Sequence, residues 1–375
     1  MTVIDIAKSM IAFDTSGPPT KEMPLAKWIH DYLTDMGVDA ELYEVAPDRA
    51  NVIAELGAGK GAGLVLSGHI DVVLAGDLDL WKVSGPFNPV VRDGKVYGRG
   101  AADMKGPDAS IIQAVKELRD REFKRQLTVV FTAGEDTGGW FVSKILEEGK
   151  VTPGEARYGV VAEPTLMEIV RCHKASGGAL VDVRGKAAHS STPEVGINAI
   201  SKSAIFLDEL LKLQEEIKVD THSLMGFTTI EPTLMKGGLK GNIIPESCEV
   251  SMNCRMIPQH AKSETIEGWM NEVIRRCKER DDQFSANVVR ARSGAPLDIP
   301  EEHEIVRIMK DILHTETAGA PYMTEAITYT RAGIPTIVCG PGSIDQAHGP
   351  DEYITVEQLE KGVQVFKSLI EKTCL

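Results

Sequence analysis

Four short apolar runs, each closing on a polar residue, punctuate the hydrophobic pattern of this chain. Leu64-Val65-Leu66-Ser67-Gly68 leads into His69 and Asp71, and Thr128-Val129-Val130-Phe131-Thr132-Ala133-Gly134 leads into Glu135 and Asp136. Tyr158-Gly159-Val160-Val161-Ala162 ends at Glu163, and Pro335-Thr336-Ile337-Val338-Cys339-Gly340 runs towards a loop carrying His348. Continuous apolar runs of this length, bounded by Gly and Pro, predict strands buried on both faces, the habit of parallel sheets. Helical periodicity lies between them. Leu25, Trp28, Ile29, Tyr32, Leu33 and Met36 predict an amphipathic helix over 22–36, stopped by Gly37. Ile111, Ile112, Ala114, Val115 and Leu118 predict another over 106–120, and the Gly- and Pro-rich stretch 77–99 reads as loop.

Beyond Glu163 the pattern changes. Residues 179–184 alternate apolar and polar, as a strand with one exposed face does. Residues 197–217 are helical, 227–235 and 248–257 alternate again, 264–280 is a charged amphipathic helix, and 284–290 is strand-like. The order β-α-β-β-α-β predicts a ferredoxin-like antiparallel sheet with helices on one face. After residue 292 the buried-strand style returns, with helices over 302–313 and 356–371 around the run at 335–339. The chain therefore reads as an α/β fold, a mixed, mainly parallel sheet flanked by helices. Residues 1–172 and 291–375 form it, and an inserted α+β domain at 173–290 interrupts it.

A length of 375 residues leaves room for two to three domains of about 150 residues. A net charge of −14, from 41 basic against 55 acidic residues, weighs against nucleic acid and anionic membrane as partners. No apolar run nears the roughly 20 residues of a membrane span, and residues 1–10 lack the basic start and apolar stretch of a secretion signal. The six cysteines, at 172, 248, 254, 277, 339 and 374, show no CxxC or regular spacing. They read as buried thiols in a reducing compartment, and a cytoplasmic location is expected.

In open α/β sheets ligands bind beyond the carboxyl ends of the strands, so strands ending in His, Asp or Glu predict one polar site on a shared edge. Histidine and carboxylate with no nearby thiol suit zinc, cobalt or manganese. His69 and Asp71 alternate onto one side of a strand end, which places Asp71 to orient the imidazole. Asp103 lies in Gly98-Arg99-Gly100-Ala101-Ala102-Asp103-Met104-Lys105-Gly106, just before a helix. It fits a helix cap, and equally a carboxylate that bridges a pair of metals. Glu135 and Asp136 stand between Gly134 and Gly138-Gly139, where the backbone is free to turn sharply. One such acid can ligate metal while its neighbour takes a proton from water. Pro164 holds Glu163 extended, and His348 lies in Gln346-Ala347-His348-Gly349-Pro350-Asp351-Glu352-Tyr353. Each residue alone also fits an ordinary surface or capping role.

Taken together, Ser67-Gly68-His69-Ile70-Asp71, 98–106, 132–136, Glu163-Pro164-Thr165, Ala188-His189-Ser190, 237–245 and 347–353 resemble one family, in order and in spacing. It is the zinc-dependent amidohydrolase and metallopeptidase family that includes acetylornithine deacetylase, succinyl-diaminopimelate desuccinylase, aminoacylase and the glutamate-releasing carboxypeptidase. The resemblance spans essentially the whole chain. Residues 340–348 and Met323-Thr324-Glu325-Ala326 most resemble the acetylornithine deacetylase branch. The resemblance implies a zinc-exopeptidase-like fold with two zinc ions per subunit, cobalt or manganese being alternatives. His69, Asp103 and Glu163 would hold one ion, and Asp103, Asp136 and His348 the other. It implies Glu135 as general base and then acid. His189, on the inserted domain, would reach a partner subunit's site and stabilise the oxyanion. Asn242, Arg255 and Thr324 would contact substrate, Arg255 gripping a carboxylate in bidentate fashion. The implied reaction is amide hydrolysis of a small N-acyl amino acid by a homodimer paired through the inserted domain. The alternatives are a metallocarboxypeptidase or dipeptidase acting on short peptides, and a non-catalytic metal-binding relative. The chain departs from the family at Asp136, which stands where a second glutamate is usual and is shorter by a methylene.

Overall fold

A computed structural model describes residues 1–375. The four apolar runs form adjacent strands in the order Leu127–Thr132, Gly63–His69, Ala156–Val161 and Thr336–Val338, and each neighbouring pair is parallel. Nearly every residue in them is buried, because helices cover both faces. Ser67 and Gly68 point to opposite sides of their strand. The Ser67 hydroxyl meets Tyr329 of the helix Ala326–Arg331, whereas a Cβ on Gly68 would strike Asp108 of the helix Lys105–Leu118. Helices Val3–Ile11 and Val356–Cys374 pack beside Lys105–Leu118.

The sheet is mixed. A hairpin, Asp39–Ala46 and Arg49–Leu56, lies antiparallel against Leu127–Thr132, and Ile169–His173 runs antiparallel to Thr336–Val338. The helix expected over 22–36 is Met23–Asp35, with Pro24 in its first turn. The hydropathy pattern did not announce the hairpin or the first helix, Val3–Ile11, which is capped by a reciprocal Thr2–Asp5 pair.

The chain folds into two compact units. One is Met1–Arg171 with Ile299–Ala318 and Thr324–Leu375, and the other is Cys172–Asp298 with Gly319–Met323. The smaller unit thus runs past residue 290 and recruits a second segment. Leu297–Asp298 pairs with Cys172 and His173, and Lys174 N–H donates to Ala320; pairings of two residues leave no periodicity to read. Within this unit the sheet order is Thr229–Gly237, Ser247–Met256, Ala175–Arg184, Ser285–Ser293, antiparallel throughout. Helices Ala199–Ile217 and Ser263–Arg280 share its core, where Val181, Phe206, Leu210, Val250, Ile266 and Met270 are buried together. This is the ferredoxin-like arrangement. No helix is long and apolar enough to cross a membrane, and none of the six cysteines is in a disulfide.

Candidate metal centre

Parallel strands that end on one edge bring their terminal side chains together. His69 closes Gly63–His69; its Nε2 is 3.0 Å from Asp103 Oδ1 and 3.9 Å from Glu163 Oε1. The other oxygen of Asp103 is 3.1 Å from His348 Nε2, and that nitrogen is 3.3 Å from Asp136 Oδ1. Two triads result, His69-Asp103-Glu163 and Asp103-Asp136-His348, each with its ligand atoms within 4.8 Å of one another. Asp103 is common to both. His69, Asp103 and Glu163 are buried, while half of His348 faces solvent.

A buried ion pair sets the turn that carries Asp103. The N–H groups of Ala102 and Asp103 donate to Glu352 Oε1, and Arg99 donates to Glu352 Oε2 at 2.6 Å. Arg99 also donates to the carbonyl of His348, at 3.3 Å. One Arg–Glu pair therefore ties the Asp103 turn to the His348 loop.

Asp71 orients His69 through its main chain rather than its side chain. His69 Nδ1 donates to the Asp71 carbonyl at 3.0 Å, and the carboxylate stands 3.6 Å away. That bond keeps a proton on Nδ1, so Nε2 is the nitrogen that would be left to face a cation. The Asp71 carboxylate is occupied elsewhere. It accepts the N–H of Gly134 at 2.9 Å, of Glu135 at 3.1 Å and of Thr137 at 2.8 Å, and the Thr137 hydroxyl at 2.8 Å. Gly134, with φ +83°, turns the chain so that these N–H groups face back towards the strand end. The loop presenting Glu135 and Asp136 is pinned as a result.

The electrostatics favour a cation. Burial pushes Glu135, Asp136 and Glu163 above the ordinary carboxylate range, and repulsion from neighbouring carboxylates, Asp103 in each case, adds to the effect. Burial also opposes charge on His69 and Asp103, but their hydrogen bonding outweighs it. His69 is raised well above its ordinary value and Asp103 is lowered. Hydrogen bonds to Asp103 and Asp136 push His348 up to about 10. Asp136 Oδ2 is buried and has no hydrogen-bond partner. Crowded carboxylates, two imidazole nitrogens and an unpartnered oxygen fit a pair of divalent cations bridged by Asp103.

None of the remaining residues expected at the site belongs to either triad. Thr324 is buried, and its hydroxyl accepts the Ala326 N–H at the start of Ala326–Arg331. His189, Asn242 and Arg255 belong to the smaller unit. There His189 is exposed, with Nδ1 2.7 Å from the Ser191 hydroxyl, and Ser190 N–H donates to the Asn242 carbonyl. Arg255 lies on Ser247–Met256, in register with Ser176 and Thr229. Cys172, His222 and Asp298 form a further group of ligand-type side chains in that unit. His222 Nδ1 accepts the Leu224 N–H, so its ring proton sits on Nε2, which faces Asp298 at 3.8 Å. That tautomer leaves no lone pair for a cation. Arg99 and Glu352 carry no ligand signature, although both lie within the segments that mark the family. Arg49 and Glu22, which anchor the Glu135 loop, lie outside them.

Residues 65–372 match the profile of peptidase family M20/M25/M40. Acetylornithine deacetylase of Shigella sonnei is 31% identical over 353 residues, which cover 92% of this chain and 89% of that protein. The structure of aminopeptidase PepT from Bacillus cereus superposes with a TM-score of 0.76 at 20% identity, covering 99% of this chain and 97% of that one. Human carnosine dipeptidase 1 gives 0.74 at 16% identity, with 98% and 94% covered. These structural likenesses show a common fold. The family match extends over most of the chain, and it is the family match that makes this protein a member of peptidase family M20/M25/M40, a metal-dependent hydrolase.

Proposed function

We propose that this chain is a deacylase of small N-acyl amino acids, working with two zinc ions for which cobalt or manganese can substitute. The observation that carries this reading is the 31% identity to an acetylornithine deacetylase over 353 residues. His69, Asp103 and Glu163 would hold one ion, and Asp103, Asp136 and His348 the other. When bound, the pair supplies Lewis acidity to the scissile carbonyl and to the attacking water. Glu135 takes the proton from that water and returns it to the departing amine. Its burial suits the task, because a carboxyl raised from its ordinary range holds a proton more readily at the second step. His189 stabilises the oxyanion from a partner subunit, Arg255 pairs with the substrate carboxylate, and Asn242 and Thr324 line the same pocket.

The smaller unit serves in this reading as lid and dimerisation domain. Support comes from its edge strand Thr229–Gly237, which is exposed along most of its length and carries Leu234 and Met235 at 63% and 45% exposure. An unpaired apolar edge of this kind is suited to a second copy. Six cysteines without a disulfide support a cytoplasmic location.

The test is a substrate panel of N-acetyl and N-succinyl amino acids, dipeptides and longer peptides. Release of acetate or succinate, abolished by chelation and restored by zinc or cobalt, is expected. Preferential cleavage of the peptides would replace the deacylase reading with an exopeptidase. Cation binding with no hydrolysis would remove catalysis altogether.

A further inference from the structure

The reach of Asp136 poses a mechanical question. Aspartate has one methylene between backbone and carboxyl, so its oxygens meet His348 only if the main chain at 136 stands close to the centre. The segment that follows has little stiffness of its own, since Gly138 and Gly139 have φ of +83° and +119°. Something outside the loop must set its height.

Arg49 occupies that position. It stands at the start of the strand Arg49–Leu56, and its guanidinium donates to the Gly138 carbonyl at 3.0 Å and to the Thr137 hydroxyl at 2.7 Å. That hydroxyl in turn donates a hydrogen bond to the Asp71 carboxylate. The guanidinium also lies over the Phe141 ring, 4.8 Å from its centroid, and a Cβ on Gly134 would come within 2.8 Å of the Gly138 carbonyl oxygen, 2.9 Å of Phe141 Cδ2 and 3.1 Å of Arg49 Nη2. Behind it is Glu22, fully buried, whose two oxygens share the Nε–H at 2.9 and 3.0 Å, while Oε1 also accepts from Nη2. Glu22 stands at the N-cap of the helix Met23–Asp35 but makes no capping bond; its carboxylate is turned to Arg49 instead. Asn51, two residues along the same strand, holds both ends of the loop through Ala133 N–H and the Phe141 carbonyl.

We infer that Arg49, braced by Glu22, is a positioning residue that holds the loop 134–141 at the height where the short Asp136 can complete the second cation site. Arg49 touches neither triad. It acts through Thr137 and Gly138, the residues directly after the ligand. The inference rests on the two-cation reading of the centre.

The test is a calorimetric titration of the metal-free protein with cobalt(II), which needs no turnover. Arg49→Met leaves Glu22 buried and uncompensated, so the informative variant is the double substitution Glu22→Gln with Arg49→Met, which removes both charges. In this variant the first cobalt equivalent is expected to bind as in the wild type and the second to weaken about tenfold or more, the usual scale for groups that support a ligand from behind. Arg49→Lys keeps a charge for Glu22 but cannot span both loop acceptors, and it is expected to retain thermal stability without second-equivalent affinity. Two tight equivalents in the folded double variant would overturn the inference and leave the two-cation reading standing. Equal weakening of both would overturn it too, since the clamp would then act on the whole centre. A wild type that saturates at one equivalent would overturn the inference together with the reading beneath it.

Discussion

Asp103 spans both triads because each of its oxygens meets a different imidazole, and Glu135 stands beside them without joining either. That separation makes Glu135 removable without dismantling the centre. Glu135→Gln is expected to lower kcat by about 10²–10⁴-fold while cation content is retained, the scale of a lost general base; turnover assays paired with metal analysis check this. The imidazoles predict a pH dependence. His348, pushed up to about 10, carries a proton at neutral pH, and a cation must displace it. Cation affinity is therefore expected to rise with pH, by up to about tenfold per unit for each proton released. Calorimetry in buffers of different ionisation enthalpy reads both quantities, and an affinity that is flat from pH 6.5 to 8 would contradict it. Asp108 adds a stability effect. Both its oxygens are buried without hydrogen-bond partners, and burial raises its carboxyl well above the ordinary range. The folded protein therefore keeps this proton at a pH where the unfolded chain has lost it. The contribution of this group to stability is full below the unfolded value of about 3.9 and is lost progressively as pH rises from there through the raised folded value. Asp108→Asn is expected to raise the urea midpoint more at pH 8 than at pH 5; equal shifts at the two pH values would rule this out.

Among the secondary-structure elements, the strand ends decide how the side chains of the two triads meet. Thr336–Val338 and Ala156–Val161 run so close beyond their last pairs that a Cβ on Gly340 would lie 2.1 Å from the Ala162 carbonyl oxygen and 2.7 Å from that of Glu163. Backbone cannot yield as a flexible side chain does. Gly340→Ala is expected to cost about 1–3 kcal/mol and to weaken cation binding at the proposed His69-Asp103-Glu163 site. Gly349→Ala, with nothing within 4 Å of the new carbon, serves as the near-neutral comparison. Urea unfolding of the two variants separates them, and matched midpoints would show that the strand ends can spread. The parallel strands were legible in the sequence because burial on both faces writes an unbroken apolar run. The hairpin Asp39–Ala46 with Arg49–Leu56 was not, since its first strand faces solvent for much of its length and shows no clean period. The Arg49 clamp was hidden with it.

For the whole molecule, the smaller unit presents an unpaired edge, and His189 is placed on that unit. If His189 acts on a partner's centre, neither His189→Ala nor Glu135→Ala alone should turn over substrate. A mixture of the two should regain part of the activity through hybrid dimers, each with one intact pairing. Hybrids shown by native mass spectrometry to form yet remain inactive would exclude the trans role. Leu234→Asp, on the exposed edge, is expected to shift the sedimentation coefficient to that of a monomer.

The pattern of residues along the chain already determined which segments are strands buried on both faces, where the chemistry of each ends, and that a second kind of sheet interrupts the first. Those properties are local: apolar period, turn residues and the side chain at a strand terminus are all written within a few positions. Tertiary structure alone decided that the Asp71 carboxylate holds the Glu135 loop while its carbonyl holds the His69 ring, that Arg99 and Glu352 tie the Asp103 turn to the His348 loop, and that Arg49, backed by Glu22, braces residues nearly ninety positions beyond itself. Hydrogen bonds between distant segments depend on which backbone groups a fold leaves facing one another, and no periodicity in a single stretch of chain encodes that.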